Sequence, residues 1–178
     1  MNGVPEGFVP LGQEGTFLDH VGGLMWRRGT DRTDVCVSPA PHHLNPNGTA
    51  HGGFLMTVLD ITLGATVESY LGVNPDRHPV TLQLSCSMMA PAHGGELLFG
   101  EATVDQSTRT VTFASARLHS QGRTVLTASA VFRNPHHTDR PREKAPVIGS
   151  ASRSYRCRIS GEVLPCPCGM GRSGGGVG

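Results

Sequence analysis

The residues able to do chemistry lie between Asn45 and Thr81. Gly52 and Gly53 open an apolar run, HGGFLMTVLDITLGATVESYL (51–71), that nothing breaks before Gly72. At a helix N-terminus the first backbone N–H groups lack an intrahelical partner and sit at the positive end of the dipole. Two bare glycines there would offer donors that polarise a carbonyl or hold an oxyanion. The plainer alternative is that they only let the loop turn and the helix pack closely. Asp60 is the second piece. It lies mid-run with no Lys or Arg at helical spacing, and burying an unpaired carboxylate is expensive. It reads either as a reactive carboxylate or as a buried Asp bonded to a backbone group or to a hydroxyl such as that of Thr57.

Spacing links the two pieces. Asp60 follows Gly52 by eight residues, about 12 Å along a helix axis. One helix cannot bring both to a single reacting carbon, so if they act together they come from two protomers whose helices face each other. Asn45, in HHLNPNG, is a turn or capping residue, or else it holds a water or a substrate carbonyl. Thr81 opens a strand on its polar face. His51 is expected to pack or hydrogen-bond at the helix start. His42, His43 and His51 are close in sequence but show no HxH or HExxH spacing, and CPC (166–168) lacks a second ligand pair. No metal site is expected. There is no GxSxG elbow and no P-loop.

The elements that must position these residues follow from pattern. Residues 1–14 read as extended, and 15–21 as a turn or two of helix. LMWRR and DVCVSPA read as two strands around GTDRT, followed by the loop PHHLNPNGTA. The run 51–71 has apolar residues most of the way round, which predicts a long helix buried on nearly all sides. Then come four strands, read as an antiparallel meander: 81–89, 97–105, 110–119 and 124–132. The first alternates, with Leu82, Leu84, Cys86 and Met88 on one face and Thr81, Gln83, Ser85 and Ser87 on the other. The third changes phase between Phe113 and Ala114, which suggests a bulge. Ala128 and Ala130 in the last leave room for something bulky, such as the long helix. An antiparallel sheet with one helix layered on it is α+β, and a sheet curled around one long helix is the hotdog fold.

Composition excludes little. The chain has 178 residues, enough for one domain with a real core. Its formal charge is +1, which points to neither nucleic acid nor a membrane surface. The charge is unevenly placed: residues 1–133 carry 8 Arg against 11 acids, and 134–178 carry 7 Lys and Arg against 3 acids. The Pro- and Gly-rich stretch 134–178 reads as a mostly disordered tail, leaving 15–133 as the domain. The start lacks a signal peptide's pattern, and no apolar run is read as long enough to span a membrane. Five irregularly spaced cysteines give no disulfide framework, and Cys36 and Cys86 are expected to pack as small apolar residues. A cytoplasmic location is expected.

The run His43-Leu-Asn45-Pro-Asn-Gly48-Thr-Ala-His51-Gly52-Gly53, followed by Asp60, resembles the hotdog-fold acyl-CoA thioesterases of the phenylacetic-acid-pathway type. Their pattern is HxNxxGxxHGG with an Asp eight residues after the first of the paired glycines. The stretches GTFLDHVGGLMWRR, Thr81-Leu-Gln-Leu and APAHGG (90–95) are similar to theirs as well. The resemblance covers about residues 8–133. It implies hydrolysis of a short- or medium-chain or aromatic acyl-CoA by a homodimer or dimer of dimers, without metal or organic cofactor. By that resemblance Gly52 would polarise the thioester carbonyl, and Asp60 of the facing protomer would be nucleophile or general base. Asn45 would position water or thioester, and Thr81 would assist. His51, Gly53, Phe54 and Leu55 would shape the substrate entrance and acyl tunnel. The competing reading is a non-catalytic acyl-CoA-binding hotdog module, which has no need for the carboxylate.

Overall fold

In the computed structural model, residues 4–12, 15–72 and 78–135 are described, together with two short strands near the C-terminus. The chain divides into two compact units, Met1–Glu143 and Lys144–Gly178. In the second, Tyr155–Arg156 pairs antiparallel with Val163–Leu164. The proposed tail does not begin at Asn134, which is buried and bonded to Thr108, Thr110 and Thr112; its residues 136–154, 157–162 and 165–178, including CPC (166–168), lie outside the described residues.

The first unit is built in the order β1 (Val9–Pro10), α1 (Phe17–Val21), β2 (Met25–Arg28), β3 (Thr33–Val37), α2 (Gly52–Leu71), β4 (Val80–Met88), β5 (Leu98–Ser107), β6 (Val111–Ser120) and β7 (Arg123–Arg133). A one-turn 3-10 helix, Pro41–His43, precedes α2. The seven strands form one antiparallel sheet in the order β1-β2-β3-β5-β6-β7-β4. The expected meander is therefore corrected: β4 does not pair with β5 but sits at the sheet edge beside β7. The reason lies in loop length. Two- to five-residue loops close hairpins, as at 108–110 and 121–122, whereas residues 89–97 between β4 and β5 are too many for one and carry the chain across the sheet.

Helix α2 runs across one face of this sheet. His51 caps its start and Gly72, in the left-handed region at φ 58°, ends it by donating to the Glu68 and Ser69 carbonyls. Phe54, Leu55, Val58, Leu59, Leu63 and Val67 pack against Val35, Val37, Leu98, Ala114, Leu118, Leu126 and Phe132. Each large side chain buried this way stabilises by about 1.5–3 kcal/mol. Ala102, Ala114, Ala116, Ala128 and Ala130 all face this core, so the strands make a trough of small side chains under the helix. Gly100 deepens it: a Cβ there would lie 2.5 Å from Thr62 Oγ1. Thr33 ties β3 to the helix, its N–H donating to Thr66 Oγ1 and its carbonyl accepting from the same hydroxyl.

Three expectations change here. The helix is not covered on every side. Gly53, Met56 and Tyr70 are exposed, and Thr57, Asp60, Ile61 and Gly64 only half-buried. Positions 53, 56, 57, 60 and 64 fall on one stripe at helical spacing, and the sheet covers only the opposite side. The same helix, 20 residues with mean hydropathy 1.3, is long and apolar enough to cross a membrane by length and composition, against the reading that no run is. Here those apolar residues form the domain core. Finally, the bulge lies on β5, not β6. Val104 pairs with Ala114 and Gln106 with Phe113, which leaves Asp105 as the extra residue. Strand β6 keeps its alternation, and Phe113 points outward, 40% exposed.

Candidate functional site

The site begins in the loop ahead of α2, which is held from several directions. The His43 ring stacks on Phe54, with centroids 3.9 Å apart at 12°. Its Nδ1 accepts from the Ala40 N–H at 3.0 Å, and its Nε2 lies 2.6 Å from the Val21 carbonyl. A carbonyl only accepts, so the ring is neutral with its proton on Nε2. Burial lowers the His43 pKa below 6.5 and the neighbouring His42 adds to this, against the opposing pull of the Val21 bond. The His43 carbonyl in turn accepts from the His51 N–H at 2.8 Å, while the Ala50 N–H donates to Ala92. His43 is a strut for the helix entrance that sequence reading weighed only as a metal ligand.

Asn45 organises the turn itself. Its Oδ1 accepts from the Asn47 and Thr49 N–H groups, and its Nδ2 donates to Thr49 Oγ1 at 2.9 Å. This is the turn geometry weighed above, and it uses one of the two amide donors, leaving one N–H for another acceptor.

At the helix start the two glycines part ways. The Gly53 N–H donates to the His51 ring Nδ1 at 3.0 Å, so that donor is already taken. The Gly52 N–H has no partner among the described residues. Only one of the paired glycines therefore offers its donor at the dipole's positive end. Phe54 and Leu55 on the next turn are buried in the core, which places them as floor rather than as an open tunnel within one chain.

Asp60 lies two turns further on, along the uncovered stripe. Its Oδ1 accepts from the Thr81 hydroxyl at 2.9 Å. Thr57, the alternative partner, instead donates back to the Gly53 carbonyl. Thr81 reaches Asp60 because β4 bulges. Thr81 pairs with Phe132 and Gln83 with Val131, which leaves Leu82 as the extra residue. Directly opposed residues share a face, so Thr81 sits on the helix side with Phe132, not on the polar face with Gln83 as the alternation implied. Leu82 is displaced outward, 57% exposed.

Strand β4 thus runs its inner face past the site. Thr81 meets Asp60 at one end. At the other, Met88 lies close to Gly52: a Cβ built on that glycine would be 3.2 Å from the Met88 methyl. Cys86 lies between, its thiol pKa raised by burial and by the Asp60 charge. The expected alternation placed Cys86 and Met88 on one face with Leu84, and that face is the inner one; their nearness to Asp60 and Gly52 is a matter of non-local packing. Of the arginines near the loops of the domain, Arg123 is engaged by Glu96 and the Pro91 carbonyl, Arg109 is exposed, and Arg77 lies outside the described residues. Two shallow depressions, one around Arg32, Glu101 and Arg117 and one around Gln83, Asp105 and Phe113, lie on the sheet's outer face. Neither borders Gly52 or Asp60.

Chemically, one chain presents two half-sites, one at the start of α2 and one on its uncovered stripe. One is a free backbone donor, and the other is a carboxylate held by a hydroxyl. The layering of one long helix against a curled antiparallel sheet is the hotdog fold. A family model described as the thioesterase superfamily matches residues 47–127. A Pseudomonas aeruginosa protein named "Putative esterase PA0474" is 38% identical over 136 residues, which is 76% of this chain and 100% of that one. The chain belongs to the thioesterase superfamily, a family of thioester hydrolases. Among solved structures, a hypothetical thioesterase from Streptococcus pneumoniae with coenzyme A is 25% identical, with TM-score 0.56 over 62% of this chain and 87% of that one. A mutant of the phenylacetic acid degradation protein PaaI from Thermus thermophilus aligns with TM-score 0.59 at 21% identity, covering 66% and 97%.

Proposed function

We propose that the protein is an acyl-CoA thioesterase whose working site is shared between two protomers. The carrying observation is the pairing, in a thioesterase-superfamily chain, of a free Gly52 N–H with an Asp60 carboxylate too far along the same helix to serve it. In the complete site, the Gly52 N–H of one protomer donates to the thioester carbonyl oxygen and stabilises the oxyanion. Asp60 of the facing protomer acts on the carbonyl carbon. As general base it takes a proton from water, the hydroxide attacks, and the tetrahedral oxyanion collapses to expel the thiolate, which takes up the proton. As nucleophile it attacks the carbon itself and expels the thiolate, which takes a proton from solvent, and water then cleaves the resulting mixed anhydride to the free acid and the Asp60 carboxylate. Thr81 holds the carboxylate in one orientation, and the spare Asn45 amide N–H is available to the water or thioester. Single turnover in heavy-oxygen water reveals the nucleophilic route when water cleaves the anhydride at the Asp60 carboxyl, because the general-base route never labels Asp60.

Two features favour the dimer. Strand β4 is a nine-residue sheet edge with its outer backbone unpaired by the described strands, a template for pairing with another chain. Leu82, Met88 and Met89 on and beside it are more than half exposed. The uncovered stripe of α2 lies next to this edge, so one partner would cover both. The acyl group is short, medium or aromatic in this reading, no metal or organic cofactor takes part, and the setting is cytoplasmic.

The test is release of free thiol from acyl-CoAs ranging from acetyl to phenylacetyl, with wild type and Asp60→Asn side by side. Hydrolysis by wild type and its loss in a folded Asp60→Asn protein supports the assignment. Binding of acyl-CoA without hydrolysis by wild type would instead make the chain an acyl-CoA-binding module.

A further inference from the structure

We infer that Thr49 is a positioning residue: its hydroxyl fixes the direction of the one Asn45 amide N–H left for the attacking water or the thioester. The inference rests on the thioesterase reading above. Asn45 and Thr49 are joined by three hydrogen bonds. The Asn45 N–H donates to the Thr49 carbonyl at 2.8 Å, the Thr49 N–H donates to Asn45 Oδ1 at 3.3 Å, and Asn45 Nδ2 donates to Thr49 Oγ1 at 2.9 Å. Oδ1 also accepts from the Asn47 N–H at 2.9 Å. Exchanging the amide's oxygen and nitrogen would therefore set an NH2 group against two backbone donors, so those bonds fix which end is which. Two bonds to one oxygen still let the amide plane pivot about that atom. The Thr49 hydroxyl holds the nitrogen and stops the pivot. Because the NH2 group is planar with the amide, fixing one of its protons aims the other.

Thr49 is itself anchored. It pairs with His93 in an isolated antiparallel bridge, and the next residue, Ala50, donates its N–H to the Ala92 carbonyl at 2.8 Å. The His93 N–H donates to the Glu96 carboxylate at 2.9 Å. Arg123, the first residue of β7, binds the same carboxylate and donates to the Pro91 carbonyl at 2.7 Å. The hydroxyl thus hangs on a loop tied to the sheet, not on the turn alone. A group held this way keeps its aim as substrate arrives, and orientation of a reacting water or carbonyl is worth rate. Valine at this position would keep the branched shape and offer Asn45 Nδ2 no acceptor.

The experiment measures kcat and KM for the best substrate of the acetyl-to-phenylacetyl panel in wild type, Thr49→Val, Thr49→Ser, Asn45→Ala and the double variant Asn45→Ala/Thr49→Val. Loss of one neutral hydrogen bond predicts a kcat about three- to tenfold lower in Thr49→Val, with KM changed by less than about twofold. Thr49→Ser keeps the hydroxyl and should stay within about twofold of wild type. In the Asn45→Ala background the valine substitution should change kcat by less than about twofold, because Thr49 acts through that amide. A merely structural role would lower the melting temperature and leave kcat per folded molecule unchanged. Thr49→Ala, which also lacks the hydroxyl, replaces the valine variant if that one does not fold. Wild-type kcat in Thr49→Val or in Asn45→Ala, a loss in Thr49→Ser equal to that in the valine variant, or an equal loss with and without Asn45 overturns the role of Thr49 and leaves the thioesterase reading standing. Failure of wild type to hydrolyse any member of the panel overturns both.

Discussion

Gly100 sets how closely α2 lies on the sheet, and Gly100→Ala tests that spacing. The new Cβ would stand 2.5 Å from Thr62 Oγ1 and 3.3–3.4 Å from Thr62 Cγ2 and Cβ. Thr62 cannot yield freely. It is fully buried, and its hydroxyl donates to the Val58 carbonyl at 2.7 Å. If Thr62 rotates, a buried hydroxyl loses its bond, at about 1–3 kcal/mol. If the layers part instead, overpacking costs about 1–3 kcal/mol. The two are alternatives, so the net expectation is about 2 kcal/mol. For a domain of this size that lowers the melting temperature by roughly 4–10 °C. Thermal unfolding followed by circular dichroism reads the shift directly. In a Thr62→Ala background the same substitution should cost at least about 1 kcal/mol less, because residues in contact are not additive. An unshifted melting temperature for Gly100→Ala, or equal costs in both backgrounds, would refute the packing argument.

Further expectations follow from the site. Thr81→Val removes the hydroxyl that holds Asp60 while nearly keeping the shape. It should lower kcat about tenfold, the low end for a hydrogen bond to a charged group, and Thr81→Ser should recover most of the loss; equal rates for the Val variant and wild type would remove Thr81 from the mechanism. His43, held neutral mainly by burial, has its pKa lowered from 6.5. The unfolded chain therefore binds a proton there more readily than the folded one. Stability from this group is complete above about 6.5 and falls as pH drops through that value toward the depressed folded pKa. Urea midpoints should decline from pH 7.5 to 5.5, and by less in His43→Gln; the same decline in both proteins would assign the effect to other groups.

Much of the fold was legible because its signals are local. The clean run from Gly52 to Leu71 between a capping position and Gly72 gave the helix its bounds, and period-two alternation gave the strands. What the sequence could not show was non-local. The place of β4 beside β7 depends on which edge remains open after the helix crosses the sheet. The bulge at Leu82 looked like unbroken alternation, since Leu82 and Leu84 are both apolar and only pairing reveals that they face opposite sides. That single slip turned Thr81 from an outward polar residue into the partner of Asp60. Similarly, two adjacent glycines look equivalent in sequence. Their N–H groups differ only because the His51 ring turns back onto one of them.

The account's central claim is that Gly52 and Asp60 act across two protomers, and subunit complementation tests it most directly. One parent is Asp60→Asn. The other is Gly52→Pro, which removes the N–H and adds a ring whose Cβ would stand 3.2 Å from the flexible Met88 tip; proline is tolerated at the first helical position. The preceding His51, at φ −63° and ψ 136°, already has the extended backbone that a following proline requires. Each parent alone should release almost no thiol from acyl-CoA. When the two are mixed, unfolded and refolded together, half the dimers pair unlike chains, and each of those holds one intact site of two. Activity should return to about a quarter of the wild-type value. A mixture no more active than its parents would contradict the shared site, as would parents that are active by themselves.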